Sequence, residues 1–352
     1  MRKQKKGKRV MAALVTAVFV LGSLGGCAKT QGDRGTEQDA ASGPGAGDAA
    51  IVLKIAHVNS ETHPASIALE KFKEEVESRT NGAVTVDLYG NGILGGELEE
   101  IQQVIDGTLS AAMVMGASNW QTMNPAAAIE ELPFMFSDVE TARAAFDGDY
   151  GQKLAEEVIE PTGVKVLCYW ESGFRHFTNN VRPITVPEDM DGIKFRTAQS
   201  EIRIKMFETL GATAIPMNFN ELYTALQQGT VAGQENPLSI ITSSNFYEVQ
   251  DYLSLSGHFY STALFIVNPD FWMSIPEEHQ DVILEVAQEC RDYDRQLSTE
   301  AEEEMIKTCT DNGMEVNEID KNAFAEKMQD VWKIYTDEFG TELVDLARSY
   351  AE

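Results

Sequence analysis

Two arginines in apolar, aromatic surroundings are the residues whose type and spacing best suit chemistry on a ligand. Arg175 lies in WESGFRHFTNN, Trp170 to Asn180, with Phe174 and Phe177 near it, and Arg196 follows 21 residues later in DGIKFRT, beside Phe195. A guanidinium is a planar fork that grips a carboxylate through parallel charge-assisted bonds, worth roughly 1.5–3 kcal/mol each when shielded from water. On strand periodicity both side chains point into a cleft. Arg143, Arg203, Arg291 and Arg295 lie on helical patterns and are expected as solvated surface charges.

Catalysis has no visible machinery. There is no HExxH, GxSxG, P-loop or EF-hand spacing, and His57, His63, His176, His258 and His279 never pair at i, i+4, so no metal is expected. GNGILG, Gly90 to Gly95, fits the dinucleotide fingerprint GxGxxG between a strand and a helix. That helix begins Gly96-Glu97-Leu98-Glu99-Glu100, however, and three carboxylates at its positive end satisfy the dipole and repel a pyrophosphate. The expectation is no enzyme and no cofactor; a secreted dinucleotide-dependent oxidoreductase is the alternative from another class.

The 352-residue chain carries 28 basic and 56 acidic side chains, net −28, and its 43% hydrophobic content is globular. Such a charge repels nucleic acid and anionic surfaces, so an anionic ligand must meet a local exception. RKQKKGKR, Arg2 to Arg9, precedes an apolar run from Val10 to Leu24. That run of ~15 residues falls short of the ~20 of a spanning helix and reads as a secretory signal. LGGC, Leu24 to Cys27, resembles the lipobox of bacterial lipoproteins, in which the signal is cut before a lipid-bearing cysteine. Ordinary cleavage with Cys27 a bystander is the alternative. Loss of residues 1–26 removes six of the 28 basic side chains and no acidic one, leaving 22 against 56, net −34. Residues 27–50, rich in Ala, Gly and Asp, read as a flexible tether.

The elements that must position the arginines follow from periodicity. IVLKIAH from Ile51, AVTVDLY from Ala83 and SAAMVM from Ser110 read as strands, separated by helical patterns over Pro64–Arg79 and ELEEIQQVIDG. This is βαβαβ, an α/β domain with a largely parallel sheet, set at 51–170. Further helices are expected over Asp138–Phe146 and Gly151–Glu160. Val164–Trp170 and Phe174–Thr178 read as two strands, then IKFRT and ATAIP as strands around a helix from Gln199 to Gly211, making a second α/β domain at 171–260. Asn218 with Glu221 reads as a cap for ELYTALQQG. The segment 261–352 holds a helical pattern from Pro276 to about Asn312, long enough to pack along both domains, then closing helices at Asp320–Phe339 and Thr341–Tyr350. Cys168, Cys290 and Cys309 form no CxxC; on one helix, Cys290 and Cys309 lie ~28 Å apart, beyond disulfide reach, so free, mostly buried thiols are expected.

ESGFRHFTNN, VPEDMDGIKFRT, GATAIPMNFNELYTALQQGTVAGQENP and FYEVQDYLSLSGH, in this order and with GNGILGGE and ELPFMF before them, resemble the solute-binding proteins of TRAP transporters, DctP type, over Leu53 to about Ala347. The resemblance implies a two-domain, periplasmic-binding-protein-like α/β clamshell with crossing strands, a long helix spanning both domains and a cleft that closes by a hinge. It implies extracytoplasmic capture of a small organic acid and delivery to a TRAP membrane permease. Carried over residue by residue, Arg196 is the main carboxylate clamp and Arg175 its helper. Phe219 lines the pocket, and Asn236 hydrogen-bonds the ligand. Met115 to Asn119, with Ser118 among them, Glu97, His57 and Val58 contribute from the N-terminal domain.

Each assignment has a structural counterpart. Asn236 precedes Pro237 and also suits a helix cap, Phe219 and Trp170 also suit the core, and His57 and His176 also suit hydrogen bonds within the fold. Glu235 is expected to pair with a backbone or basic group. Because Glu97, Glu235, His57, His176 and Trp170 suit hydroxyls and a sugar face, the favoured ligand is a hydroxylated sugar acid, a uronate or aldonate. A C4-dicarboxylate is the alternative, and a ligand-sensing rather than transporting role stays open.

Overall fold

The computed structural model describes residues 51–351. The signal segment, Cys27 and the tether lie outside the described residues. The chain runs β1 (Ile51–Ala56), α1 (Pro64–Arg79), β2 (Val84–Tyr89), α2 (Glu97–Ile105) and β3 (Ala111–Met115). Short 3-10 turns lead to α3 (Val139–Asp147) and α4 (Asp149–Leu154), then β4 (Lys165–Asn179), β5 (Lys194–Thr197), α5 (Glu201–Thr209) and β6 (Thr213–Pro216). There follow α6 (Leu222–Gln227), β7 (Gly233–Pro237), α7 (Leu238–Ser243), β8 (Tyr252–Leu255), β9 (Tyr260–Val267), α8 (Pro269–Ser274) and α9 (Glu277–Asp311). The chain ends with β10 (Glu315–Glu318), α10 (Lys321–Lys327), α11 (Gln329–Phe339) and α12 (Glu342–Arg348).

The strands lie in the order β2-β1-β3-β9-β4-β7-β5-β6, with β8 joined to β4 and β10. In the first half β1 is parallel to β2 and β3, and β9 returns antiparallel beside β3. In the second half β5 is parallel to β6 and β7. The sheet is therefore mixed rather than largely parallel, because β4 and β9 run against their neighbours where the halves join.

Where two strands were expected across Val164–Thr178, the chain forms the single 15-residue β4. Lys165–Phe174 pair with β9, and Arg175–Asn179 pair with β7. Continuity survives the Glu171-Ser172-Gly173 step as a β-bulge, which Gly173 accommodates at φ +104°, a conformation other residues rarely adopt. One strand thus carries Arg175 from one half of the molecule into the other.

The 35-residue α9 spans ~52 Å at 1.5 Å per residue. Near its start Ile283, Val286, Ala287 and Cys290 enter the core made with α1 and β1, among Leu53, Phe72 and Phe265. Near its end Cys309, with Met305 and Ile306, packs against Leu226, Ile241 and Phe246. In between, Asp294 accepts the Glu171 N–H at 2.8 Å, which fixes the helix to the bulge of β4. Cys168, Cys290 and Cys309 are free thiols.

Two further expectations, the solvated helical arginines and the Asn218 cap, are corrected. Arg203 and Arg295 are buried rather than solvated, at 2% and 8% exposure, because carboxylates meet them: Glu131 and Glu235 for Arg203, Asp147 for Arg295. Arg143 and Arg291 are half-buried rather than solvated, on Glu171 at 2.6 Å and on Asp147 at 3.2 Å. Asn218 makes no side-chain cap; the chain enters α6 through a 3-10 turn, Phe219–Glu221.

Candidate functional site

The strand ends converge on one cavity, as loops beyond the carboxyl ends of parallel strands do in open α/β sheets. From the first half its wall takes Val58 and Asn59 after β1, Glu97 at the start of α2, Met115 at the end of β3, and Ser118 with Asn119 beyond. From the second half come Arg175 on β4, Arg196 on β5, Arg203 on α5, Asn236 on β7, and Phe219. Among the described residues all the arginines of the wall stand on the second-half side, and the first-half side offers amide, hydroxyl and carboxyl groups but no cation.

Each guanidinium is held differently. Arg175 donates from Nε to Glu235 Oε2 at 2.5 Å, and from Nη2 to the Glu235 carbonyl at 2.7 Å and Asn236 Oδ1 at 2.8 Å. Arg203 donates to Glu235 Oε1 at 2.7 Å and pairs with Glu131 at 2.5 Å. Arg196 has no such carboxylate among the described residues: Nε and Nη2 donate to the Met217 carbonyl at 3.0 and 2.7 Å, and its guanidinium lies 5.9 Å from the Phe219 ring centre. The loop after β6 therefore sets both the backbone and the aromatic neighbour of Arg196.

Burial dominates the titration of these groups. It lowers Arg196 to about 10, with Arg203 adding to the effect. It pushes Glu235 up, but Arg175 and Arg203 outweigh it and hold that carboxyl well below the usual range. Glu97 shifts up on burial even though its Oε1 accepts the Met115 N–H at 2.8 Å. Glu131 and Glu235 thus face Arg175 and Arg203, while Arg196 meets the Met217 carbonyl, which leaves Arg196 as the positive charge with no carboxylate bonded to it among the described residues.

The halves also touch at residues outside the cavity wall. Gly92, at φ +63° in the GNGILGG turn, faces Asn220 so closely that a Cβ there would stand 3.2 Å from its side chain. Ser60 Oγ donates to the Ser243 carbonyl at 3.1 Å, a second contact between the halves. The glycine turn abuts the opposite half, and Glu99 accepts the Gly96 N–H at 3.1 Å where a phosphate would have to sit.

Of the sequence-derived candidates, Arg175, Arg196, Asn236, Phe219, Glu97, Met115 and Ser118 line the cavity. Three do not. Trp170 is fully buried in the core, its indole N–H donating to the Ala287 carbonyl at 3.1 Å and its ring edge-on to Phe265. His176 accepts the Gly257 N–H at 3.1 Å and lines a separate cavity with Phe174 and Lys321, since alternation along β4 turns it away from Arg175. His57 packs its ring against Gly90, next to the wall rather than on it. Glu171 is occupied by Arg143, at 2.6 Å, and the Tyr260 hydroxyl, at 2.8 Å.

Sequence reasoning missed Arg203, Asn59, Ala198 and Ile240 on the wall. For Arg203 a signal exists: it shares a helical stripe with Met206, Phe207 and Leu210, all buried. Asn59, Ala198 and Ile240 carry no comparable mark.

Two sheet halves joined by long strands and braced by one helix, with a guanidinium-lined cavity between them, define a two-lobed solute-binding protein. Residues 55–338 match the model of the family described as bacterial extracellular solute-binding protein, family 7 (DctP), and the chain belongs to that family. It is a solute-binding protein of the TRAP type. It is 34% identical over 281 residues to the 2,3-diketo-L-gulonate-binding periplasmic protein YiaO of Escherichia coli, covering 80% of this chain and 85% of that one. The sugar acid binding protein of Advenella mimigardefordensis, solved with galactonate, superposes with a TM-score of 0.82 at 31% identity, covering 86% of this chain and 99% of that one. A TRAP protein of Sulfurospirillum deleyianum with bound succinate gives 0.81 at 30%, covering 86% and 100%.

Proposed function

We propose that the chain captures a hydroxylated sugar acid, a uronate or aldonate, outside the cytoplasmic membrane and presents it to a TRAP permease without transforming it. The observation that carries this reading is the asymmetry of the cavity: an arginine lacking a carboxylate on one side, and uncharged donors and acceptors with the Glu97 carboxyl on the other. The ligand carboxylate lies on Arg196, supported by Arg175 and Asn236, and its hydroxyls meet Glu97, Asn59, Ser118 and Asn119. A second carboxylate would face Glu97 with no cation to balance it, which disfavours C4-dicarboxylates. The similar proteins that take 2,3-diketo-L-gulonate and galactonate agree with this preference, and the one holding succinate keeps the dicarboxylate as the rival.

The domain limits 51–170, 171–260 and 261–352, closure about β4 and β9, and a lipid on Cys27 belong to the same proposal. The test is a thermal-shift and calorimetric screen of the soluble chain from Ile51 against D-galactonate, D-galacturonate, D-glucuronate and succinate. Stabilisation by the sugar acids, growing with excess over the dissociation constant, is expected. Stabilisation by succinate alone would overturn the ligand class, and stabilisation by NAD would restore the oxidoreductase alternative. Mass spectrometry of membrane-extracted protein should show a lipidated Cys27, lost in Cys27→Ala.

A further inference from the structure

The halves also meet at a cluster that shares Arg203 and Ser118 with the cavity wall and extends beyond it. Arg203, on α5 of the second half, places Nε 2.5 Å from Glu131 Oε1, and donates from Nη1 to Glu235 at 2.7 Å and from Nη2 to Ser118 Oγ at 3.4 Å. The Nε–H is not aligned on the Glu131 oxygen, so that contact is an ion pair rather than a hydrogen bond. Glu131 ends the 3-10 segment Pro125–Glu131, which belongs to the first half: its neighbour Glu130 accepts the N–H of Ala117, just beyond β3, at 2.5 Å. The other oxygen of Glu131 accepts from Gln121 at 2.9 Å and from the hydroxyl of Ser200, the cap of α5. Arg203, Glu131, Ser200 and Glu235 are each at most 2% exposed.

All three nitrogens of Arg203 thus face protein oxygens, on both halves, and one of those partners, Glu235, also holds Arg175. Breaking a buried pair of this kind is costly while its surroundings stay closed, and the cost vanishes once the halves part and water reaches both charges. We propose that Arg203 is a closure latch: a positioning residue that sustains the closed state through Glu131 and sets the Arg175–Glu235 pair as the halves meet. Its ligand-dependent arm rests on capture by closure, as proposed above.

The test measures association and dissociation of D-galactonate and succinate by stopped flow, with hydrogen exchange of the unliganded full-length chain in detergent. Arg203→Gln is expected to raise the dissociation rate at least tenfold, by the same factor for each acid that binds, with association within threefold of wild type. Arg203→Lys should recover part of the loss. In the unliganded protein, amides of 117–131 should exchange faster in the Gln variant. Unchanged exchange there, or a loss that depends on the acid, overturns the latch. If neither acid binds the wild type, the ligand reading fails while hydrogen exchange still decides the latch. Should Arg203→Gln not fold, Glu131→Gln carries the same comparison from the opposite half.

Discussion

At the scale of single residues, the three arginines of the cavity are not equivalent. Arg175 and Arg203 share Glu235, whereas Arg196 has a carbonyl for a partner, so an arriving carboxylate gains most at Arg196. Arg196→Ala is expected to weaken acid binding at least 100-fold, about 3 kcal/mol, as two charge-assisted hydrogen bonds of ~1.5 kcal/mol or more are lost; titration calorimetry reads it directly. Trp170→Phe should do the reverse. It removes the bond to Ala287 and part of a core ring, so the melting temperature should drop by the equivalent of ~1–3 kcal/mol while Kd stays within twofold. A changed Kd would return Trp170 to the pocket. Both arginines on strands were legible because a charge beside phenylalanines on a strand is anomalous. Arg203 was not, since a helical arginine is ordinarily solvated and its balancing acids, Glu131 and Glu235, are remote in the chain.

At the scale of elements, α2 and three histidines, His57 and His63 buried and His176 partly so, make stability depend on pH from opposite sides. Glu100 is fully buried with neither carboxyl oxygen hydrogen-bonded, and burial, with Glu97 and Glu99 close by, raises it to about 9. A folded pKa above the unfolded one means that its contribution is complete below about 4.5 and fades as pH rises through about 9. Burial lowers His57 to about 4 and His63 and His176 to about 3. Their contribution is complete above 6.5 and fades as pH falls toward those values. Thermal melts from pH 4 to 9 should therefore peak near neutrality; Glu100→Gln should flatten the alkaline limb and His176→Gln the acid one. The same elements show what periodicity can convey. The strands of the first half and α9 followed from apolar spacing, whereas GQENP, now β7, is a buried strand without apolar alternation. The bulge in β4 reads as a turn because Gly173 punctuates the sequence wherever it stands.

At the scale of the whole molecule, α9 ties the core around α1 to the core around α6 and α7, so neither can lose its packing without exposing part of this helix. One calorimetric transition is expected for residues 51–352, shifted upward by ligand rather than split. The fold class was legible at this scale through motif order, and the placement of opposite charges was legible in part: an acidic exterior around an arginine pair. That charge separation has a kinetic consequence. With a net charge of −28, or −34 without residues 1–26 (22 basic against 56 acidic side chains), the molecule repels each anion before it reaches the cavity, and repels a dianion more than a monoanion. Salt shortens the reach of the repulsion to about 10 Å at 0.1 M, so association should accelerate with ionic strength, more steeply for succinate than for D-galactonate. The exterior is then a sieve that ranks ligands by valence on arrival, ahead of any contact with the site.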